Sequence, residues 1–178
     1  MALLENNMIK LRALEPEDLD SLYRWENESD LWRYGTTLAP YSRFALKEYI
    51  SEARNDIFQS RQLRLMIVLK EENISIGTVD LYDLDPMNLR AGIGILIDNQ
   101  HQKKGFGKQA LELIKKYAFD FLFLKQLYAY IPQNNDPSMK LFTHCGYKQA
   151  GCLLQWLRCK DYFDNVFILQ LINTELAE

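Results

Sequence analysis

The chain has 178 residues, 48% of them hydrophobic and 12% aromatic, close to the roughly 150 residues of an average domain and with enough apolar material to close a core. Disorder and a two-domain layout are therefore disfavoured, and residues 1–178 are expected to form one domain. Twenty-one Lys and Arg against 24 Asp and Glu give a formal charge of −3; no basic excess marks a nucleic-acid or anionic-membrane partner, and a cationic ligand is favoured instead.

Met8 to Leu14 alternates apolar and polar residues as a strand does, and Glu15-Pro16-Glu17-Asp18 supplies a helix start, with Pro near the first position and acids in the first turn. Leu19, Leu22 and Tyr23 make the apolar stripe of that helix. A second helix is expected from Ser42, where Leu46, Tyr49, Ile50 and Ala53 recur at helical spacing. Leu63 to Leu69 and Ile74 to Tyr82 are strand-like runs joined by a short polar turn, a hairpin signature.

Ala91 to Ile97 reads as a buried strand whose glycines, Gly92 and Gly94, predict a bulge or a close backbone neighbour. Gly107 to about Leu122 keeps a helical period through Leu111, Ile114, Tyr117, Ala118 and Phe121. A strand at Leu127 to Ile131 follows, then a short helix from Pro137 to Cys145 closed by Gly146. Strand runs at Leu153 to Arg158 and Phe163 to Ile172 finish the chain. Helices interleaved with strands, some of them in hairpins, make an α/β (α+β mixed) protein with a mixed sheet flanked by helices on both faces.

No basic, apolar leader opens the sequence, and the longest apolar stretches, at 118–124 and 166–172, fall far short of the about 20 residues that cross a bilayer. A cytoplasmic protein is expected. Cys145, Cys152 and Cys159 are odd in number and contain no C-x-x-C pair, so they read as reduced thiols and predict no metal site.

The chemistry concentrates in Ile95 to Lys108, a strand, a loop and a helix start. Glycines there permit positive φ and leave backbone amides free to converge on an anion at the helix N-terminus, while Lys103, Lys104 and Lys108 add positive charge. A pyrophosphate suits this arrangement. The spacing matches neither a Walker A loop nor a dinucleotide fingerprint.

Gln102-Lys103-Lys104-Gly105-Phe106-Gly107 resembles the Q/R-x-x-G-x-G/A pyrophosphate loop of the GCN5-related N-acetyltransferase (GNAT) superfamily. Asn135, Ser138, Lys140, Leu141 and Phe142 through Gly146-Tyr147 are similar to its N-x-x-S/A-x-x-LY-x-x-x-GF segment, and the opening MIKLRALEPEDLD resembles that of bacterial spermidine and ribosomal-protein N-acetyltransferases. The likeness extends over nearly the whole chain. It implies an acyl-CoA N-acyltransferase fold, a mostly antiparallel mixed sheet of about seven strands with helices on both faces. It also implies an acetyl-CoA site: backbone groups of Ile95, Leu96 and Ile97 for the pantetheine arm and thioester, Gln102 to Lys108 for the pyrophosphate, and Asn135, Ser138 and Lys140 along the second wall. A free strand edge can bind such an amide-bearing arm as a strand would.

Two positions depart from the family pattern. Many relatives carry a Tyr that protonates the departing thiolate where this chain has Phe142, and general acid catalysis of that kind is commonly worth about 10²–10⁴-fold. Tyr147, Cys145 and Tyr162 are substitutes to consider, each also readable as a core or hairpin residue. Relatives often carry Glu at the position of Gly92. The remaining acids near the expected site are Asp80 and Asp83 in VDLYDLD, with Glu26, Glu28 and Asp30 after the first helix. A protonated amine must lose a proton before it attacks, and Asp80 is the preferred helper, with Asp83 second. His101 and His144 lack partners for nucleophilic or base chemistry and read as incidental.

The resemblance thus implies an acetyl-CoA-dependent N-acetyltransferase acting by direct attack through a tetrahedral intermediate. The acidic balance favours a cationic small-molecule or peptide amine as acceptor, a polyamine such as spermidine first. The alternatives are an acetyltransferase of basic protein N-termini and a non-catalytic acyl-CoA-binding module. Many relatives form dimers or larger rings, which leaves a homo-oligomer open; Trp25, Trp32, Tyr34 and Trp156 fit core, acceptor wall or interface equally.

Overall fold

The computed structural model describes residues 3–32, 39–53 and 57–176. In chain order the elements are β1 (Ile9–Arg12), α1 (Leu19–Glu26), α2 (Ser29–Trp32), α3 (Arg43–Glu52), α4 (Ile57–Ser60), β2 (Leu63–Leu69), β3 (Ile74–Asp85), β4 (Arg90–Ile97), α5 (Phe106–Lys116), β5 (Gln126–Pro132), α6 (Asp136–His144), β6 (Lys148–Arg158) and β7 (Phe163–Ile172). The strands form one seven-stranded sheet in the order β1-β2-β3-β4-β5-β7-β6. Every neighbouring pair is antiparallel except β4 with β5. The expected mixed, mostly antiparallel sheet with helices on both faces is therefore present.

The sheet is covered on two sides. On one, Leu65, Ile67, Val79, Leu81 and Ile93 join Ala110, Leu111 and Ile114 of α5 and Phe142 of α6. On the other, Met66 and Val68 meet Leu22 and Trp25 of α1 and Leu46 of α3. This double cover explains why β2 is a continuous apolar run: Leu65 and Ile67 face one layer, Met66 and Val68 the other. Each such side chain, once fully buried, contributes about 1.5–3 kcal/mol.

Three expectations are corrected. The long helix is regular only to Lys116; Tyr117–Phe121 forms a wider π turn in which Leu122 N–H bonds Tyr117 O at 3.0 Å and the Tyr117 and Phe121 rings stack at 5.3 Å. β6 begins at Lys148 rather than Leu153, because its first half pairs with β7 at the sheet edge, where polar residues need not alternate with apolar ones. β3 runs to Asp85, past an irregularity between Tyr82 and Asp85 where Asp83 takes φ 49°. Asp80 is thus a mid-strand residue and not a strand-end one. Among the described residues no helix is long and apolar enough to cross a membrane.

Asp18 locks the first helix to the sheet. Its carboxylate accepts from Arg12 Nη1 at 2.6 Å and Nη2 at 2.9 Å, from Ser75 Oγ at 3.0 Å and from the Glu15 amide at 2.9 Å. Burial alone would raise its pKa; the Arg12, Glu15 and Ser75 bonds outweigh it and hold the carboxyl below its ordinary value. Stability from a group depressed in the fold is present above its unfolded pKa, about 3.9, and is lost as pH falls through the folded value. Asp18→Asn is expected to cost about 3 kcal/mol at pH 7, by leaving Arg12 half-buried and unpaired. Urea unfolding at pH 7 and pH 3 checks this: the gap between the two proteins must narrow at pH 3, and an undiminished gap excludes the ion pair as its source.

Candidate functional site

β4 and β5 begin as neighbours and then part. Their ladder holds three rungs, Arg90–Gln126, Ala91–Leu127 and Gly92–Tyr128. Beyond it β4 stays in register with β3 as far as Ile97 opposite Gly77, and β5 stays with β7 as far as Pro132 opposite Val166. Among the described residues the stretch 93–97 therefore presents a strand edge without a neighbouring strand, about 15 Å long at about 3.3 Å per residue. Ile95, Leu96 and Ile97, expected to contact a pantetheine arm, all lie on it.

At the outer end of this opening lies the turn expected to hold an anion. Lys103 has φ 61° and Gly105 φ 82°, and Gly105 is the N-cap of α5 with no side-chain cap, so the first-turn amides of the helix are left for an external acceptor. A Cβ on Gly105 would meet nothing within 4 Å; the glycine is there for its backbone angle. Gly107 serves packing, since a Cβ would sit 3.2 Å from Leu141 of α6 and 3.7 Å from Ile97. Lys103, Lys104 and Lys108 are exposed, and Phe106 is buried as the anchor of the turn. The Gln102 side-chain amide donates to Ile97 O at 3.0 Å and Asn99 Oδ1 at 2.9 Å, tying the loop to the strand.

Asp98, between strand and loop, joins this turn to α1 by accepting from Trp25 Nε1 at 3.0 Å, Arg24 at 2.5 Å and the Gln100 amide at 3.1 Å. Against the upward push of burial, those donors hold its carboxyl below the ordinary value. Trp25 is thereby a core residue. Asn135 caps α6, its side chain accepting from the Ser138 amide at 3.2 Å, and Lys140 is exposed on the same helix. Phe142 and Tyr147 pack edge to face at 5.0 Å, and both are buried. Among the described residues the Tyr147 hydroxyl has no hydrogen-bond partner, and burial pushes its pKa up.

The sheet face towards α1 carries the acids. Asp80 accepts from Arg64 Nε at 2.6 Å, and Arg64 Nη1 reaches Glu26 at 2.7 Å. Burial pushes Asp80 up, partly offset by Arg64 and reinforced by Glu26. Burial also works against the Arg64 charge, but Asp80, Tyr49 and Glu26 overwhelm it and keep the guanidinium protonated. The Arg64 guanidinium lies 5.5 Å from the Tyr49 ring centre. Asp83 is not part of this cluster; it lines a separate cavity of about 500 Å³ with Arg61, Asp85, Arg90, Tyr128 and Tyr130. Glu28 bonds Asn99, and Trp32 donates to Glu26 O at 2.8 Å. Trp156 is exposed on β6, and Tyr34 and the Asp30 side chain lie outside the described residues.

The two glycines of β4 turn out to have different reasons, and neither makes a bulge in that strand. A Cβ at Gly92 would lie 2.2 Å from Tyr82 Cε2. At Gly94 it would lie 3.8 Å from Tyr82 Cε1 and 4.0 Å from Asp80 Oδ2. The close neighbour is a tyrosine ring resting on bare backbone. Tyr82, Tyr128 and Tyr130 form an edge-to-face series with ring centres 6.2 Å and 5.5 Å apart. Arg64 and this tyrosine series were not singled out from the sequence, although Tyr128 and Tyr130 at i and i+2 share a strand face by alternation.

Comparison with known proteins agrees with this architecture. A family profile described as Acetyltransferase (GNAT) domain matches residues 9–148. An uncharacterised N-acetyltransferase of Bacillus licheniformis is 27% identical over 178 residues, covering 99% of each chain. A spermidine N(1)-acetyltransferase of Vibrio cholerae is 27% identical over 168 residues, covering 93% of this chain and 95% of that one. The crystal structure of the Vibrio cholerae spermidine N-acetyltransferase in complex with CoA and spermine superposes with a TM-score of 0.85 at 24% identity, over 96% of this chain and 99% of the other. With the loop, the parted strands and the profile in agreement, the chain belongs to the GNAT family of acetyltransferases.

Proposed function

We propose that the protein transfers an acetyl group from acetyl-CoA to a primary amine of a cationic small molecule, a polyamine such as spermidine. The observation that carries this reading is the opening between β4 and β5, which runs from the lysine-rich start of α5 to a face lined by Asp80 and tyrosines. Acetyl-CoA, when bound, supplies an activated acetyl thioester. The fit is chemical: unpaired strand amides suit an amide-bearing arm, and a helix start ringed by Lys103, Lys104 and Lys108 suits a pyrophosphate.

In this reading Ile95, Leu96 and Ile97 orient the arm. Gln102 holds the loop against Ile97, and Gly105 aims the α5 amides. Asn135, through its cap, keeps α6 along the far wall, with Ser138 and Lys140 on its first turns. Asp80 takes the proton from the incoming ammonium; its raised pKa makes it a better base than an ordinary carboxylate, and Arg64 holds it in place. Glu26 and the tyrosines supply the acidic, aromatic surroundings in which an ammonium group is stable, while Asp83, in its separate cavity, takes no part. One observation favours a second reading: Phe142, buried against Tyr147, offers no proton to a leaving thiolate, as in a module that binds acyl-CoA without turning it over.

Release of CoA thiol from acetyl-CoA, followed with spermidine, spermine, an aminoglycoside and a basic peptide with a free N-terminus, decides between them. Saturable release with the polyamines is expected; silence across the panel, with acetyl-CoA binding shown by calorimetry, selects the binding module. Gly105→Val must force a β-branched residue into left-handed backbone at a cost of about 1–2 kcal/mol. It is expected to weaken acetyl-CoA binding at least tenfold, and calorimetric affinity within twofold of the parent removes the turn from the site. Asp80→Asn is expected to lower kcat by about 10²-fold. The parent's rate rises with pH as Asp80 ionises, and that acid limb disappears in Asp80→Asn; a retained limb assigns the base elsewhere.

A further inference from the structure

Tyr82 stands opposite Gly92 in the β3–β4 register, and Gly92 is in turn the last β4 residue paired with β5. Its ring covers the backbone of both β4 glycines. The Cβ that any other residue would place at position 92 falls 2.2, 2.5 and 2.7 Å from three ring atoms, so the glycine is the space the tyrosine needs. From there the side chain reaches across β4: its ring stands edge to face with that of Tyr128 on β5, the partner of Gly92 in the last rung, at 6.2 Å between centres. The hydroxyl therefore sits at the inner end of the opening, where the two strands first separate.

A phenol has one proton to donate and two lone pairs. No acceptor for the Tyr82 proton is found among the described residues, which leaves that proton for a ligand. Burial raises its pKa, with the neighbouring Tyr128 adding to the rise, so the group stays protonated across the working range and remains a donor throughout. An arm whose pyrophosphate end rests on α5 and whose amides follow residues 97 to 93 brings its thioester to this inner end. There the β4 amides form one wall and serve the carbonyl oxygen. The tyrosine hydroxyl lies towards the β5 wall, beside the sulfur.

We propose that Tyr82 is a catalytic residue whose hydroxyl donates a hydrogen bond to the CoA sulfur as the thioester breaks. This rests on the acetyl transfer proposed above. The amine nitrogen forms a bond to the acetyl carbon, the C–S bond breaks, and its electron pair goes to the sulfur, held by the Tyr82 O–H. Asp80, having passed the ammonium's first proton to solvent, takes the surplus proton on nitrogen and relays it, through water, to the sulfur. The products are the acetylamide and CoA thiol, and Tyr82 ends as it began. Gly92 and Tyr82 form one device: the strand gives up its side chain so that a hydroxyl from the next strand can stand over it.

The test is Tyr82→Phe, which keeps the ring over Gly92 and removes only the oxygen. kcat is expected to fall by about 10–10²-fold, with KM for acetyl-CoA and the melting temperature within error of the parent. A second readout needs no acceptor: the thiolate absorbance of bound CoA, titrated with pH. A hydrogen bond to the thiolate favours the charged form, so bound thiol is expected to titrate about one pH unit lower in the parent than in Tyr82→Phe. Gly92→Ala, which must displace the ring, is expected to reproduce both effects, and adding it to Tyr82→Phe is expected to lower kcat no further. Identical thiol titration and kcat in parent and Tyr82→Phe overturn the assignment while leaving acetyl transfer standing. Failure of the parent to bind CoA overturns both.

Discussion

The site depends on one topological constraint: β4 and β5 each have a better partner than the other. β4 is held by seven antiparallel pairs against β3, six of them continuous, and β5 by an unbroken seven-residue register with β7. Antiparallel ladders are slightly more stable per residue than parallel ones, and twist accumulates from strand to strand. The single parallel contact is therefore the seam that gives way. Once it opens, polar backbone that a continuous sheet would have consumed becomes available in the middle of the fold, at a place fixed by rigid strands on either side. A ligand held by strand edges rather than by long side chains would be positioned precisely at low entropic cost.

Around that seam, charged side chains act as braces between layers. Asp98 connects the end of β4 with Arg24 and Trp25 of α1, Arg64 connects β2 with Glu26 of α1 and Asp80 of β3, and Asp18 connects the start of α1 with β1 and β3. All three converge on the first helix. Its position is thus set by ion pairs at both ends and by Leu22 and Trp25 between them. A displacement of α1 would disturb the turn that precedes α5 and the acid face together. The two halves of the site share a mechanical reference.

Much of this was legible in the residues alone, for identifiable reasons. β2 and β7 match their expected bounds because hydrophobic runs ended by polar turns leave little choice, and the α5 start is marked by glycines whose role depends on φ rather than on neighbours. β6 was half-hidden because an edge strand needs no apolar alternation. The environment of Asp80 was hidden for a different reason. Its ion pair with Arg64 joins residues 16 apart in sequence, and its burial follows from strand pairing and the helix that covers the sheet. The relation of Tyr82 to Gly92 was equally invisible. A glycine in a strand announces that something is close, but only the register says what.

That relation reaches beyond mechanism, into how the sequence can change. A side chain at position 92 and the ring at position 82 exclude one another at 2.2 Å, so neither site is free to vary alone. A lineage carrying a larger residue at 92 must first shrink residue 82, and a lineage with Tyr82 is confined to glycine at 92 until the tyrosine is lost. The intermediate with both small leaves a void on the sheet face, and the one with both large does not fit. Substitution histories at these two positions are therefore ordered, and a polar group can be delivered to the inner end of the seam from one strand or from its neighbour, but not from both.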